Sequence, residues 1–159
     1  LNLYVLSENV DGDFVKPSQT IKENLRNWIA RYKMLNDTVD IFDGEFVNLK
    51  LSYEVVSGFD VNKFDLLTRC NEAIEKKFNT KYNMGESFYL SDVYITLNSV
   101  SGVVDTTNVV VETKSSAGYS QYPFNINEHL SNDGRVLRAP DKVAFEIKDF
   151  DADIIGVIK

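Results

Sequence analysis

Residues 47–55 carry the clearest hydrophobic pattern in the chain, a strict alternation of apolar and polar side chains. Such a period of two is typical of a β-strand with one buried and one solvent-facing side. The apolar positions are Val47, Leu49, Leu51, Tyr53 and Val55, and the polar positions between them are Asn48, Lys50, Ser52 and Glu54. The pattern predicts a long strand whose polar face is either solvated or covered by a partner.

Two other segments repeat their apolar residues at helical spacing. The first follows Pro17-Ser18, has a predicted capping box at Thr20 and Glu23, and is ended by Asn36-Asp37. The second begins after a predicted cap at Asp60. The apolar stripes are Ile21, Leu25, Trp28, Ile29 and Tyr32 in the first segment, and Val61, Phe64, Leu67, Cys70, Ile74 and Phe78 in the second. Each stripe predicts a helix with one apolar face.

Shorter elements complete the predicted order of the first 113 residues. Strands are predicted at 2–7, 38–42 and 103–113, with a hairpin turn at Asp43-Gly44 and a short helix that starts at Ser91-Asp92. The resulting order, β-α-β-β-α-(short α)-β, is that of a ferredoxin-like split βαβ domain. We therefore expect residues 1–113 to form an α+β domain with its helices on one face of the sheet.

Residues 114–159 are expected to form an extension that packs on this domain or on a partner. Residues 114–140 are rich in Ser, Asn, Gly and Asp and lack periodicity, which is unusual inside a compact domain and favours a functional loop. Residues 143–147 and 154–158 are predicted to form a C-terminal β-hairpin. Tyr119, Tyr122 and Phe124 in the loop are candidate interface anchors, or they pack the loop onto its own domain.

Composition narrows the possible partners. The chain has 159 residues and a net charge of −7, which argues against nucleic acid and against an anionic membrane surface. Cys70 is the one cysteine, so no internal disulfide forms, and its place on an apolar stripe predicts a small core residue. Because the chain begins at Leu1 inside a predicted strand, we expect it to be the C-terminal part of a longer protein.

Catalytic chemistry finds little support in the sequence. A zinc site needs about four suitably spaced ligands, whereas His129 is the one histidine. The segment 85–89 begins a GxSxG pattern and fails at its last position, and no glycine-rich phosphate loop is present. Asp149, Asp151 and Asp153 lack the glycine that a calcium loop needs, so they predict a solvated acidic turn. We expect no catalytic residue, no bound metal and no cofactor.

A series of segments also follows the order found in one family of phage proteins. The segments are Leu3-Tyr4-Val5-Leu6, Arg31-Tyr32-Lys33-Met34-Leu35, Asp37-Thr38-Val39, 46–56, 84–88, 90–94, Ser101-Gly102-Val103-Val104-Asp105, and 139–148. In this order the chain resembles the baseplate J-like wedge proteins of contractile phage tails, especially the large wedge subunit of the myophage type. The resemblance covers most of the chain, and Ser101-Gly102-Val103 is its most characteristic part.

The resemblance implies a non-enzymatic subunit of the virion that is assembled in the host cytoplasm. Its partners would be a second copy, in a homodimer, and the smaller wedge proteins of the baseplate ring. Two alternatives stay open from the sequence. The first is a carbohydrate- or receptor-binding tail module that uses exposed aromatic side chains, and the second is a small hydrolase that uses scattered carboxylates.

Overall fold

The computed structural model describes residues 1–34 and 38–159. The described strands are β1 (Asn2–Val5), β2 (Ser7–Glu8), β3 (Phe14–Val15), β4 (Asp40–Asp43), β5 (Glu45–Ser57), β6 (Phe88–Tyr89), β7 (Val103–Thr113), β8 (Val136–Leu137), β9 (Val143–Glu146) and β10 (Ile154–Ile158). The described helices are α1 (Gln19–Ala30), α2 (Lys63–Phe78), α3 (Leu90–Asn98), α4 (Ile126–His129) and α5 (Phe150–Asp153). This mixture confirms the predicted α+β class.

The main sheet is built around β5. On one edge β7 runs antiparallel to β5, and on the other edge β10 runs parallel to it. The predicted alternation is confirmed, because every apolar position from Val47 to Val55 is buried, while Lys50, Ser52 and Glu54 remain partly exposed. The sheet therefore has a covered apolar face and an open face.

Helices α2 and α3 cover the apolar face of the main sheet. The buried residues of α2 are Leu66, Cys70, Ile74 and Phe78, which confirms Cys70 as a core residue. Two predictions for this helix were wrong. Its cap is Asn62, whose side chain accepts from the Phe64 N–H, because the helix begins later than expected. Phe64 consequently lies in the first turn and is 85% exposed, and Leu66 takes its place in the core.

The first strand does not join this sheet. β1 pairs in parallel with β4, and these two strands form a separate two-stranded sheet. The predicted hairpin at Asp43-Gly44 was wrong, because β4 and β5 do not pair and Gly44 passes the chain from one sheet to the next. A side chain at Gly44 would come within 2.8 Å of Leu6 and Met84, so this glycine allows close packing at the junction. The split βαβ pairing is therefore not confirmed.

The C-terminal strands do not form the predicted hairpin. Both run parallel to β5, and α5 lies between them. The Glu45 N–H donates to the Lys142 carbonyl at 2.8 Å, and the Lys159 N–H donates to the Val55 carbonyl at 2.9 Å. Because alternate residues of a strand direct their backbone groups to the same side, β9 and β10 occupy one edge of β5. A strand that runs parallel to its neighbour needs a long crossover connection, and residues 58–142 connect β5 to β9. The short helix α5 then links β9 to β10 along the same edge of β5.

The first helix begins at a different cap from the predicted one. The Ser18 hydroxyl accepts from the Ile21 N–H at 3.3 Å, so the cap lies two residues before Thr20. Gln19, not the backbone of Thr20, bonds to the Glu23 carboxylate at 3.2 Å. The predicted end at Asn36-Asp37 lies outside the described residues, as do Leu35 and Asp37 of the family pattern.

A substitution at Gly156 in β10 tests how tightly the covered face of the main sheet is packed. A methyl group there would meet the ring of Tyr53 and would lie 2.6 Å from Leu67. Gly156→Ala is expected to lower the free energy of unfolding by about 2 kcal/mol, because the added carbon overpacks the core. Urea unfolding measures this change.

Gly58→Ala is the matched control, since the nearest atom to its added carbon would be 3.5 Å away, on Val61. Its stability should stay within about 0.5 kcal/mol of the parent chain. Equal effects of the two substitutions would contradict the packing described for β10.

Candidate interaction surfaces

Tyr119 is held by charged groups of its own chain. Its hydroxyl accepts from Lys114 Nζ at 2.7 Å and donates to Asp153 Oδ1 at 3.3 Å. Lys114 Nζ also lies 4.2 Å from the centre of the ring, and Lys148 Nζ lies 5.7 Å from it. The half-buried ring is therefore fixed by two cations and a carboxylate.

Tyr122 and Phe124 pack against the apolar core. Phe124 stacks on His129 with ring centres 4.6 Å apart, and it meets Phe145 of β9 edge-on at 5.5 Å. Both predicted anchors are partly buried. The structure thus places all three loop aromatics against their own domain, as the second interpretation expected. Their role as interface anchors stays a prediction.

Side-chain hydrogen bonds fasten the loop to β5. The Ser120 N–H donates to Asn48 Oδ1 at 2.7 Å, and the Ser120 hydroxyl donates to the Phe46 carbonyl at 2.5 Å. The loop thus takes the position beside β5 that β7 leaves free after Thr113. This explains why Asn48 is buried although it lies on the polar face.

Asp153 is the most deeply buried charged residue that the loop contacts. It has no exposed surface, accepts from Lys114 and Tyr119, and receives the Asp149 N–H at 3.2 Å. The prediction of a solvated acidic turn was therefore wrong for this residue. Asp149 itself caps α5 by accepting from the N–H groups of Asp151 and Ala152. The spacing of the three aspartates reflects a cap and a buried ion pair.

Glu146 is a second buried carboxylate, and no sequence pattern indicated it. Its oxygens accept from the Phe14 N–H at 2.9 Å and from Asn48 Nδ2 at 2.8 Å, while Lys81 Nζ lies 3.4 Å away. Glu146 stands at the polar position of an alternating strand, where exposure is the usual expectation. The β2–β3 hairpin covers this position and supplies the Phe14 amide.

A row of exposed and half-buried apolar side chains lies on α1 and on the turn that follows it. We call the side chains Ile21, Leu25, Trp28, Ile29 and Tyr32 the α1 stripe. No residue of α1 is buried in the described part of the protein, and Trp28 and Tyr32 are 59% and 73% exposed. Their rings lie 4.9 Å apart and border an open groove of about 480 Å³. The predicted apolar stripe thus exists. Ile21, Trp28 and Tyr32 are exposed in the described structure, while Leu25 and Ile29 are half-buried.

An ion pair joins α1 to β4. Lys22 Nζ lies 2.7 Å from Oδ1 of Asp43, the last residue of β4. On the exposed side of the β1–β4 sheet, Tyr4 and Phe42 stack with ring centres 5.6 Å apart. We call residues 1–34 and 38–43, which contain α1 and the β1–β4 sheet, the N-terminal unit. It displays aromatic side chains on its helix and on its sheet.

The open face of the main sheet is a second surface, with an apolar centre and charged ends. The strand register places Val110, Ser52 and Ile155 in one row, and Asn108, Glu54 and Val157 in the next. Ile155 and Val157 are 44% and 48% exposed. Two ion pairs flank them, Lys50–Glu112 at 3.5 Å and Lys159–Glu54 at 2.5 Å. Such a centre and rim are typical of protein interfaces.

Burial changes the acidity of two side chains in the core, Cys70 and Tyr82. Burial raises the pKa of the Cys70 thiol, which makes it a poor nucleophile at neutral pH. Burial likewise raises the pKa of Tyr82 to about 12. Among residues 1–34 and 38–159, no three His, Cys, Asp or Glu side chains are grouped so that they could hold a metal ion. No helix in these ranges has the length and apolarity needed to cross a bilayer.

No family model matches the chain, and no curated protein matches it.

Asp153→Asn tests the buried ion pair that fixes the loop. The substitution keeps the shape of the side chain and removes its charge, so Lys114 loses a charged acceptor. We expect the free energy of unfolding to fall by about 1.5–3 kcal/mol, the usual range for a hydrogen bond to a charged group. Asp151→Asn, at an exposed position of the same helix, should change it by less than about 0.5 kcal/mol.

The same pair predicts a dependence of stability on pH. Hydrogen bonds to Asp153 and Tyr119 raise the pKa of Lys114 above its usual 10.5, so folding favours the protonated amine. Its contribution is fully present below pH 10.5 and is lost as the pH rises through the raised pKa. The difference in unfolding midpoint between the parent and Asp153→Asn should stay constant from neutral pH to that point and shrink above it. A difference that disappears in mildly alkaline solution would contradict the assignment.

Proposed function

We propose that this chain is a structural subunit that assembles with other proteins through the α1 stripe. The observation that carries the proposal is that an amphipathic helix of 12 residues buries none of them in the described structure. A helix of this length is marginally stable in water by itself, and most helices gain their stability by packing an apolar face. The stripe therefore calls for a cover, and a partner protein supplies it.

The side chains of the stripe are those that dominate protein interfaces. Trp and Tyr are enriched among the residues that contribute most to binding, and the rings of Trp28 and Tyr32 lie 4.9 Å apart at the C-terminal end of the stripe. Tyr4 and Phe42 provide a second exposed aromatic pair on the neighbouring sheet. A single apolar residue at the surface is ordinary, whereas several on one small unit favour an interaction site.

We infer that the assembly is the baseplate wedge of a contractile phage tail, the family that the sequence resembles. The partners would then be smaller wedge proteins and a second copy, and the location would be the virion. The Ser101-Gly102-Val103 segment of that pattern forms the turn from α3 into β7, where Gly102 adopts a φ of +99°. The proposed role involves no catalysis. The ferredoxin-like arrangement is not part of the proposal, since β1 pairs with β4.

Co-expression tests the proposed role. The chain is produced together with the proteins encoded beside it in a contractile-tail gene cluster, and the complexes are isolated through a tag on the chain. We expect a neighbouring tail protein to co-purify. The double variant Trp28→Ser, Tyr32→Ser should reduce its recovery at least ~10-fold, because loss of an interface anchor commonly costs more than about 1.4 kcal/mol.

Phe59→Ser is the control, since Phe59 is a fully exposed aromatic residue away from α1. Both variants should keep the thermal unfolding midpoint of the parent chain. Recovery that is the same for the double variant and the control would overturn the α1 stripe as the contact. Binding of glycans by the chain, lost in the double variant, would favour the carbohydrate-binding alternative.

A further inference from the structure

The outer edge of β10 has backbone groups without partners. The Lys159 N–H donates to Val55, and the Lys159 carbonyl accepts from the Ser57 N–H at 3.2 Å, so the backbone of Lys159 faces β5. By alternation, the backbone groups of Ile154, Gly156 and Ile158 point away from β5. Within the described part of the chain, no hydrogen bond satisfies the N–H groups of these three residues. The edge is therefore open to another strand.

This edge also lacks the features that usually prevent strand pairing. Residues 154–158 read Ile-Ile-Gly-Val-Ile, with no charge and no proline. Exposed edge strands in natural proteins normally carry a charge, a proline or a bulge that blocks a neighbour. The other edge of the sheet does have such protection, because a register shift interrupts β7 near Thr107 and the Thr106 N–H is bonded to Asp105 at 2.9 Å.

We propose that β10 pairs antiparallel with β10 of a second copy, about a two-fold axis through Gly156. The inference rests on the assembly role proposed above and assigns one contact within it, separate from the α1 stripe. The occupant follows from the sequence of the strand, which reads almost identically in both directions about Gly156. Antiparallel pairing about this residue sets Ile154 opposite Ile158 of the second copy, and it places apolar residues opposite each other throughout.

The open face of the sheet fits the same arrangement. On the open face, Ile155 and Val157 of both copies come together into one apolar cluster of four side chains. Their present exposure would fall, and the ion pairs Lys50–Glu112 and Lys159–Glu54 would border the cluster. The two main sheets would become one continuous sheet.

Disulfide trapping tests the register. Position 155 of one copy faces position 157 of the other in a pair without backbone hydrogen bonds, where Cα atoms lie about 4.5 Å apart. This distance suits a disulfide. Oxidation of a mixture of Ile155→Cys and Val157→Cys chains should therefore give at least ~10-fold more linked dimer than either variant alone, whose own cysteines lie about 7–8 Å apart on the diagonal. Cys70 does not interfere, because it is buried.

Sedimentation of the purified chain tests the association itself. We expect a reversible dimer in the micromolar range, since a five-residue strand pair is a small contact. Val157→Lys should weaken it at least ~100-fold, because each dimer would bury two charges in the apolar cluster. Val110→Lys is the control on the same open face, away from β10, and should leave the association unchanged.

The outcomes separate this contact from the α1 stripe. A chain that stays monomeric, or a dimer that Val157→Lys does not weaken, overturns the β10 pairing. So does equal trapping in the mixture and in the single variants. If Val157→Lys instead abolishes recovery of a neighbouring tail protein, the edge binds a strand of that protein and the second-copy assignment is wrong. The α1 proposal fails on its own measurement, since the Trp28→Ser, Tyr32→Ser variant retains an intact β10.

Discussion

Backbone hydrogen bonding along both edges of β5 is the constraint on which the rest of the molecule depends. β5 has 13 residues, and β7, β9 and β10 all align on it. Its apolar side chains, at alternate positions, provide the surface on which α2 and α3 pack. A one-residue change in the register of β5 would move its own apolar residues to the wrong face and would disturb its pairing with all three neighbours. The N-terminal unit and the loop are attached at the start of this strand.

Two buried carboxylates show how the irregular segments are held to this frame. Glu146 on β9 binds the β2–β3 hairpin and Asn48, while Asp153 binds Lys114 and Tyr119 of the loop. Burying a charge is costly unless hydrogen bonds satisfy it, so each of these groups restricts its segment to one position. The polar contacts at residues 114–124 therefore replace the regular strand pairing that the loop lacks. The aromatic side chains of the loop are therefore packed against the domain, whereas Trp28 and Tyr32 of the α1 stripe are exposed.

Local patterns predicted the elements better than their arrangement. The alternation in β5, the stripes of α1 and α2, and the core position of Cys70 follow from side-chain periodicity, and the structure has them. The pairing of β1 with β4, and of β9 and β10 with β5, depends on contacts between distant residues that periodicity does not encode. Phe64 was misplaced because the helix begins after Asn62 and not after the predicted cap Asp60. The burial of Asp153 and Glu146 comes from segments far away in sequence. The exposure of the α1 stripe is likewise a tertiary property, since a stripe on a helix usually predicts burial.

The position of the strands along the chain also affects how the protein folds during synthesis. β5 is synthesised before its parallel neighbours, which come from residues 143–158, almost one hundred residues later. Until that part has been translated, a long apolar strand has one bare side, and closing the gap requires contacts of high sequence separation, which form slowly. Nascent chains with such exposed strands tend to aggregate. The interval between the synthesis of β5 and that of β10 is thus the stage at which the edge of β5 is most open to pairing with other chains.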